Sequence, residues 1–210
     1  MTNYSLELNK LTKIFGRRLV FKDIDFNFNT GKVYGIAGSN GSGKSTLSKI
    51  IIGINSPTRG KVFHKIDDRQ ITSIEIHNHV GFVSPYLILY EEFSAEENLK
   101  HFANIRGIKF NQEFTDKLFA DFKLLDRKND LLKGYSSGMK QRMKYIFALQ
   151  HNPNLLILDE PTSNLDNQGK DAVYEIINRE KNNKLILIAS NEDTDLALCN
   201  DVLNVEDYKS

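Results

Sequence analysis

One run of residues constrains this chain more than any other: Gly38-Ser39-Asn40-Gly41-Ser42-Gly43-Lys44-Ser45-Thr46. Before it stands a short apolar run, Val33-Tyr34-Gly35-Ile36-Ala37, the pattern of a buried central strand. After it Leu47, Ile50 and Ile51 recur at helical spacing. Glycines admit the backbone shapes that let successive N–H groups curl around an anion. The helix that follows aims its partial positive end at the same point. Gly-x4-Gly-Lys-Ser between a strand and a helix is the phosphate-loop pattern. It predicts that Lys44 reaches the outer phosphates of a nucleotide, that Ser45 offers its hydroxyl to Mg2+, and that Thr46 bonds the inner phosphate.

A second feature supports the first. Leu155-Leu156-Ile157-Leu158 ends in Asp159-Glu160. An aliphatic strand demands burial, so acids at its end need a reason. In phosphate-loop enzymes the strand beside the loop strand ends in an Asp that holds the Mg2+ shell. Asp159 suits that role, and Glu160 suits polarising a water or taking its proton. Taken alone, the pair would also fit an ordinary solvated strand end.

The rest of the chain organises around these motifs. Ile24, Phe26 and Phe28 alternate with polar residues, as in a half-buried strand, and Asn29-Thr30-Gly31 reads as a turn. The middle changes character. Ser94-Ala95-Glu96-Glu97 is a capping-box pattern before Leu99, Phe102 and Ile105. A second helix is expected from Gln112 to Leu125, with Phe114, Leu118, Phe119 and Phe122 on one face. A third begins near Ser136 and carries Met139, Met143, Ile146, Phe147 and Leu149. Strand signals return at Leu155–Leu158 and Leu185–Ala189, with a helix around Asp171–Glu180 between them. The pattern predicts one domain over 1–210, with core segments at about 1–85 and 151–210 and a helical insert at about 86–150.

Composition excludes several classes. With 28 basic and 27 acidic residues the net charge is +1, which gives no case for broad nucleic-acid binding. The single cysteine, Cys199, forms no intramolecular disulfide and is read as a small apolar packer in a helix. Met1-Thr2-Asn3-Tyr4 has no signal-peptide character. No aliphatic run approaches the ~20 residues that span a bilayer. A cytoplasmic protein is expected, with any membrane role supplied through a partner.

Further pieces carry a family resemblance. Tyr135-Ser136-Ser137-Gly138-Met139-Lys140-Gln141-Arg142 resembles the signature sequence of ABC ATPases, and Pro161-Thr162-Ser163-Asn164-Leu165-Asp166 resembles the segment after their catalytic Glu. With the phosphate loop and the acidic strand end, these pieces stand in family order over nearly the whole chain. The resemblance implies an α/β fold: a P-loop NTPase (RecA-like) core, an N-terminal antiparallel β subdomain and an inserted α-helical signature subdomain. It implies ATP and Mg2+ as cofactors, bound at Gly38, Ser39, Asn40, Gly41, Ser42, Gly43, Lys44, Ser45 and Thr46, with Ser45 and Asp159 at the metal and Glu160 and Lys44 catalytic. It also implies head-to-tail pairing, as a homodimer or with a paired ATPase subunit, so that Ser136 and Gly138 of one copy meet ATP held by the other. Ser136 is at the same time a good ordinary helix N-cap. Phe15, in Lys13-Ile14-Phe15-Gly16, stands at the register of the family's adenine platform; a buried strand Phe is the other reading.

The chain departs from the family at two positions. Pro85, in Val80-Gly81-Phe82-Val83-Ser84-Pro85, stands where a Gln normally helps hold Mg2+. Asn191, after Ser190, stands where the family usually has a His; an amide can donate to a phosphate but carries no proton. Three readings follow. The leading one is an ATP-hydrolysing motor on the cytoplasmic face of the cell membrane, coupled to an integral membrane permease subunit that Tyr86–Phe93 helps to meet. The others are an ATP-gated dimerising scaffold with little hydrolysis, and a soluble ABC ATPase without a transport role.

Overall fold

The computed structural model describes residues 2–163 and 165–209. Met1 and Asn164, which fall within two of the motifs read above, lie outside the described residues. The alternation at Ile24–Phe28 belongs to an antiparallel sheet. β1 (Tyr4–Phe15) pairs antiparallel with β2 (Arg18–Asn29), setting Leu6 opposite Phe28 and Leu8 opposite Phe26. After β3 (Val33–Ala37) and α1 (Lys44–Ile51), β4 (Arg59–Ile66) joins the other side of β1 and the short β5 (Arg69–Gln70) joins β4. This sheet runs in the order β2-β1-β4-β5.

The second sheet takes the remaining strands. α2 (Ile76–His79) leads into β6 (Val80–Val83). α3 (Ala95–Ile105), α4 (Gln112–Asp121) and α5 (Ser137–Leu149) follow before β7 (Leu155–Asp159). α6 (Asn167–Glu180) crosses to β8 (Leu185–Ala189), and α7 (Asp193–Leu196) leads to β9 (Asp201–Asn204). All pairings are parallel, in the order β6-β7-β8-β3-β9. This corrects one expectation. The acidic strand β7 is not the neighbour of the loop strand β3, because β8 lies between them. Parallel neighbours are set by helical crossovers, which leave no trace in the strands themselves.

The parallel sheet is buried on both faces, which is why its strands read as continuous aliphatic runs. Val33, Leu156, Leu158, Ile186 and Ile188 face the core built with α3 to α6. The alternate residues Tyr34, Ile36, Leu155, Ile157, Leu185 and Leu187 face the core shared with α1 and the antiparallel sheet.

Several local readings shift. The Ser94 capping box is present, but Ile105 is exposed, because two steps of three residues rotate it about 120° from Leu99. α4 stops at Asp121 rather than Leu125: Lys123 takes φ 54, and its N–H bonds back to Ala120 without any glycine to signal the stop. α6 starts at Asn167, earlier than Asp171, because the Asp166 carboxylate accepts the Gly169 N–H at 2.8 Å. Cys199 lies past the end of α7 rather than in a helix; it is half-buried against the core, and burial pushes its thiol up to about 12.

Candidate functional site

The loop Gly38–Gly43 joins the end of β3 to the start of α1. Gly43 is the N-cap of that helix at φ 118, and a Cβ there would lie 2.5 Å from Val20 Cγ1 on β2. Both the backbone shape and the space therefore demand glycine. The Ser42 N–H donates to Ser39 O at 3.0 Å and tightens the turn. Lys44, nearly buried, folds its ammonium over the loop and donates to Gly38 O at 2.8 Å and Ser39 O at 3.2 Å. Arg18 donates to Gly41 O at 3.3 Å from outside.

The acidic strand end meets this loop across the sheet. The Ser45 hydroxyl donates to Asp159 Oδ1 at 3.0 Å. Asp159 is fully buried and its Oδ2 has no partner. An unpartnered buried carboxylate oxygen beside a hydroxyl suits a hard cation, and a pair of protein oxygens suits a Mg2+ that keeps waters and shares phosphate ligands. Burial pushes the Asp159 carboxyl above the ordinary range, and Glu160 adds to this; the Ser45 hydroxyl, Lys49 and Lys44 oppose it. Among the described residues no group of three or more His, Cys, Asp or Glu is placed to hold a metal alone.

Glu160 sits just past β7 in the left-handed region, at φ 51. Its N–H donates to Ala189 O at 2.8 Å, so β8 fixes the turn. Backbone held in such a region costs on the order of 1 kcal/mol and persists where the surroundings over-determine it. Here a buried carboxylate does so. Asp195, fully buried, accepts from Ser190 Oγ at 2.7 Å, Thr162 Oγ1 at 3.2 Å and Tyr174 at 3.0 Å. It ties the end of β8, the segment after Glu160 and α6 into one unit.

These groups line two clefts. The first, of about 540 Å³, is walled by Phe15, Gly41, Lys44, Thr46, Tyr86 and Glu160 among others. The second, of about 350 Å³, holds Asn40, Glu160, Lys170 and Asn191. Glu160 thus faces both. Phe15 ends β1 at 51% exposure with the Lys13 ammonium 4.5 Å from its ring centroid, so the buried-strand reading is excluded. Ser136 accepts the Met139 N–H at 3.3 Å as the N-cap of α5. The structure does not bring Ser136 or Gly138 to the phosphate loop of the same chain; neither lines its cleft. A Cβ on Gly138 would meet nothing within 4 Å.

At the first departure, the Lys144 ammonium on α5 pins the chain by donating to Ser84 O at 3.2 Å and Pro85 O at 2.8 Å. Beyond it Ile88 and Tyr90 are exposed while Leu89 is buried. Three contacts at the site went unread in the sequence: Arg18, Tyr86 and Glu206, whose carboxylate accepts from Ser39 Oγ at 2.6 Å. Only Glu206 carries a local signal, an acid just after the strand β9, the same signal that marks Asp159.

A glycine loop between a parallel strand and a helix, opposed by an acidic strand end, defines a P-loop nucleotide-binding domain of the α/β class. Within that class the chain belongs to the ABC transporter family, whose model matches residues 21–163. It is 32% identical over 190 residues to the uncharacterized ABC transporter ATP-binding protein YcbN of Bacillus subtilis, covering 88% of this chain and 61% of that protein. It is 32% identical over 177 residues to the Nod factor export ATP-binding protein I of Bradyrhizobium diazoefficiens, covering 83% of this chain and 58% of that one. The chain therefore spans about three fifths of the length of these relatives. The solved ATP-binding subunit of an ABC transporter superposes with a TM-score of 0.83 at 28% identity, covering 95% of this chain and 85% of that one.

Proposed function

We propose that this chain binds Mg·ATP at Gly38–Thr46 and hydrolyses it as the motor subunit of a transporter. The observation that carries the reading is the Ser45–Asp159 pair, with a buried, unpartnered carboxylate oxygen beside a glycine cradle and Lys44. Lys44 and the loop N–H groups bind phosphate; Ser45 and Asp159 hold Mg2+, which when bound offsets charge on the phosphate oxygens. Glu160 orients the attacking water and takes its proton. Asn191, facing the same cleft as Glu160, donates a hydrogen bond toward the terminal phosphate. Phe15, exposed at the mouth of the first cleft, stacks on the base.

Ser136 and Gly138 complete the site of a second copy, or of a paired ATPase subunit, in head-to-tail contact. The open space at Gly138 supports this, since nothing in its own chain requires a glycine there. The helices between β6 and β7 form the signature subdomain, about 86–150, on a core of about 1–85 and 151–210. Among the described residues no helix is long and apolar enough to cross a membrane. The exposed Ile88, which lines a groove of about 380 Å³ with Leu87, Leu89 and Leu132, and the exposed Tyr90 nearby in the chain are the surface offered to a permease subunit from the cytoplasmic face.

Phosphate release by the purified protein tests the reading: Glu160→Gln is expected to abolish most of it, and equal rates in the two proteins would remove Glu160 from the chemistry. Asn191 and Pro85 favour a second reading, an ATP-gated scaffold with little turnover. Dimerisation on ATP without phosphate release, with a membrane partner present, selects that one.

A further inference from the structure

We infer that Tyr86 is a nucleotide-contacting residue, walling the terminal-phosphate end of the first cleft; this rests on the nucleotide site proposed above. The sequence around it gives no motif for such a role. Three observations place it.

Tyr86 lines the cleft together with Lys44, Ser45 and Glu160. Its ring lies under the Lys49 ammonium, 5.2 Å from the centroid. Lys49 in turn lies one helical turn from Ser45 on α1, and Ser45 bonds Asp159. Tyr86 therefore belongs to the Ser45–Asp159 end of the cleft, while Phe15 also lines the cleft, on the β1 side. Its backbone is held as well: the Tyr86 N–H donates to Ser84 Oγ at 3.3 Å, and Lys144 binds the carbonyls of Ser84 and Pro85. The ring is 75% exposed, so it is available to a molecule seated on the loop rather than spent in the core.

The physical role follows from the cation–ring pair. Attraction between an ammonium and a ring face strengthens as water leaves. A nucleotide seated in the cleft covers the ring, dries this contact and fixes the Lys49 side chain against it. Water is then excluded from the side of the cleft that Tyr86 walls.

The chain contains no tryptophan, so Tyr86→Trp creates a single indole reporter. Its emission is expected to change saturably as Mg·ATP is added, with the same midpoint as displacement of trinitrophenyl-ATP. Tyr86→Ala is expected to weaken Mg·ATP by roughly fivefold in that displacement assay, the scale of one desolvated cation–ring contact. Circular dichroism should be unchanged, because the side chain is exposed. A silent indole together with wild-type affinity in Tyr86→Ala overturns the inference and leaves the nucleotide site standing. Failure of the wild-type protein to bind trinitrophenyl-ATP at all overturns the site itself, and this inference with it.

Discussion

The starts of α1 and α5 are in opposite conditions: Gly43 leaves the N-terminus of α1 without a side-chain cap, whereas Ser136 caps that of α5. At α1 every neighbour is supplied by the chain. Val20 closes on Gly43, Asp159 on Ser45, and Lys44 on the loop carbonyls. At α5 the cap is made by Ser136, and beyond Gly138 there is open space. One region is enclosed by its own chain and the other is open. The contrast is what the proposed head-to-tail pairing uses: on that reading the open helix end of one copy completes the nucleotide site of another.

The largest effect that tests the contrast is chemical. Glu160→Gln keeps the shape of the pocket and removes the proposed base. Turnover is expected to fall by about 10²- to 10³-fold, the scale seen when one positioned catalytic group is lost. ATP affinity and ATP-driven pairing should survive, because Gly38–Thr46 and Ser136 are untouched. Sedimentation in Mg·ATP reads the second half of that statement. A Glu160→Gln protein that neither turns over nor pairs would show that the two regions are not separable.

Acid offers a nearly comparable energy, held in part at a histidine behind α1 and in part at His151 just past α5, whose pKa burial also pushes down to about 4. His64 on β4 is buried beneath α1. Its Nε2 lies 2.9 Å from Ile51 O and its Nδ1 lies 2.6 Å from the Tyr4 hydroxyl. The neutral ring with its proton on Nε2 satisfies both: it donates to the carbonyl and accepts from the phenol. Burial pushes its pKa down from 6.5 to about 4. The unfolded chain therefore takes up a proton that the folded chain refuses between these values, and stability falls as pH drops through that window. The full loss is about 3 kcal/mol. His64→Gln should make the slope of unfolding free energy against pH shallower by about one proton between pH 6 and 4.5. Urea titrations at several pH values measure it, and an unchanged slope would show that His64 is not held neutral.

A smaller and opposite effect is expected at Asn191. It faces Glu160 across the second cleft and carries no ionisable group. Asn191→His returns a donor that can hold charge. A rise in phosphate release of about tenfold, roughly 1.4 kcal/mol, is expected, with stability unchanged because the position is exposed. No rise would mean that the amide already does what the cleft needs.

How much of this was legible depended on how locally each feature is encoded. The loop was readable because a phosphate cradle must be contiguous, and Asp159-Glu160 because acids break an aliphatic strand. The capping box at Ser94 and the N-cap at Ser136 were readable for the same reason. The position of β8 between β3 and β7 was not, because crossovers choose neighbours and leave no mark in Leu185–Ala189. The end of α4 was missed because Lys123 takes a left-handed turn that sequence reserves for glycine or asparagine. Tyr86 shares the cleft with the loop and Glu206 bonds Ser39, both from distant elements, and the Asp195 hub collects hydroxyls from Thr162, Tyr174 and Ser190. No spacing rule joins such residues. The missed neighbours of the site are thus tertiary, whereas the phosphate loop is local.

The smallest expected energy bears most directly on the open helix end. Gly138 lies in the first turn of α5, with an ordinary negative φ and no atom within 4 Å of where a Cβ would stand. A glycine inside a helix costs about 0.5–1 kcal/mol relative to alanine. Nothing within the chain accounts for that cost. Gly138→Ala should therefore raise the unfolding free energy of the isolated protein by about 0.5 kcal/mol, while binding of trinitrophenyl-ATP to a single copy stays the same. ATP-driven pairing should weaken, because the added methyl stands where the nucleotide of a second copy must approach the helix N-terminus. A variant that is more stable and pairs as well as wild type would show that the open space at Gly138 faces solvent in the working protein, and the half-site reading of α5 would fail with it.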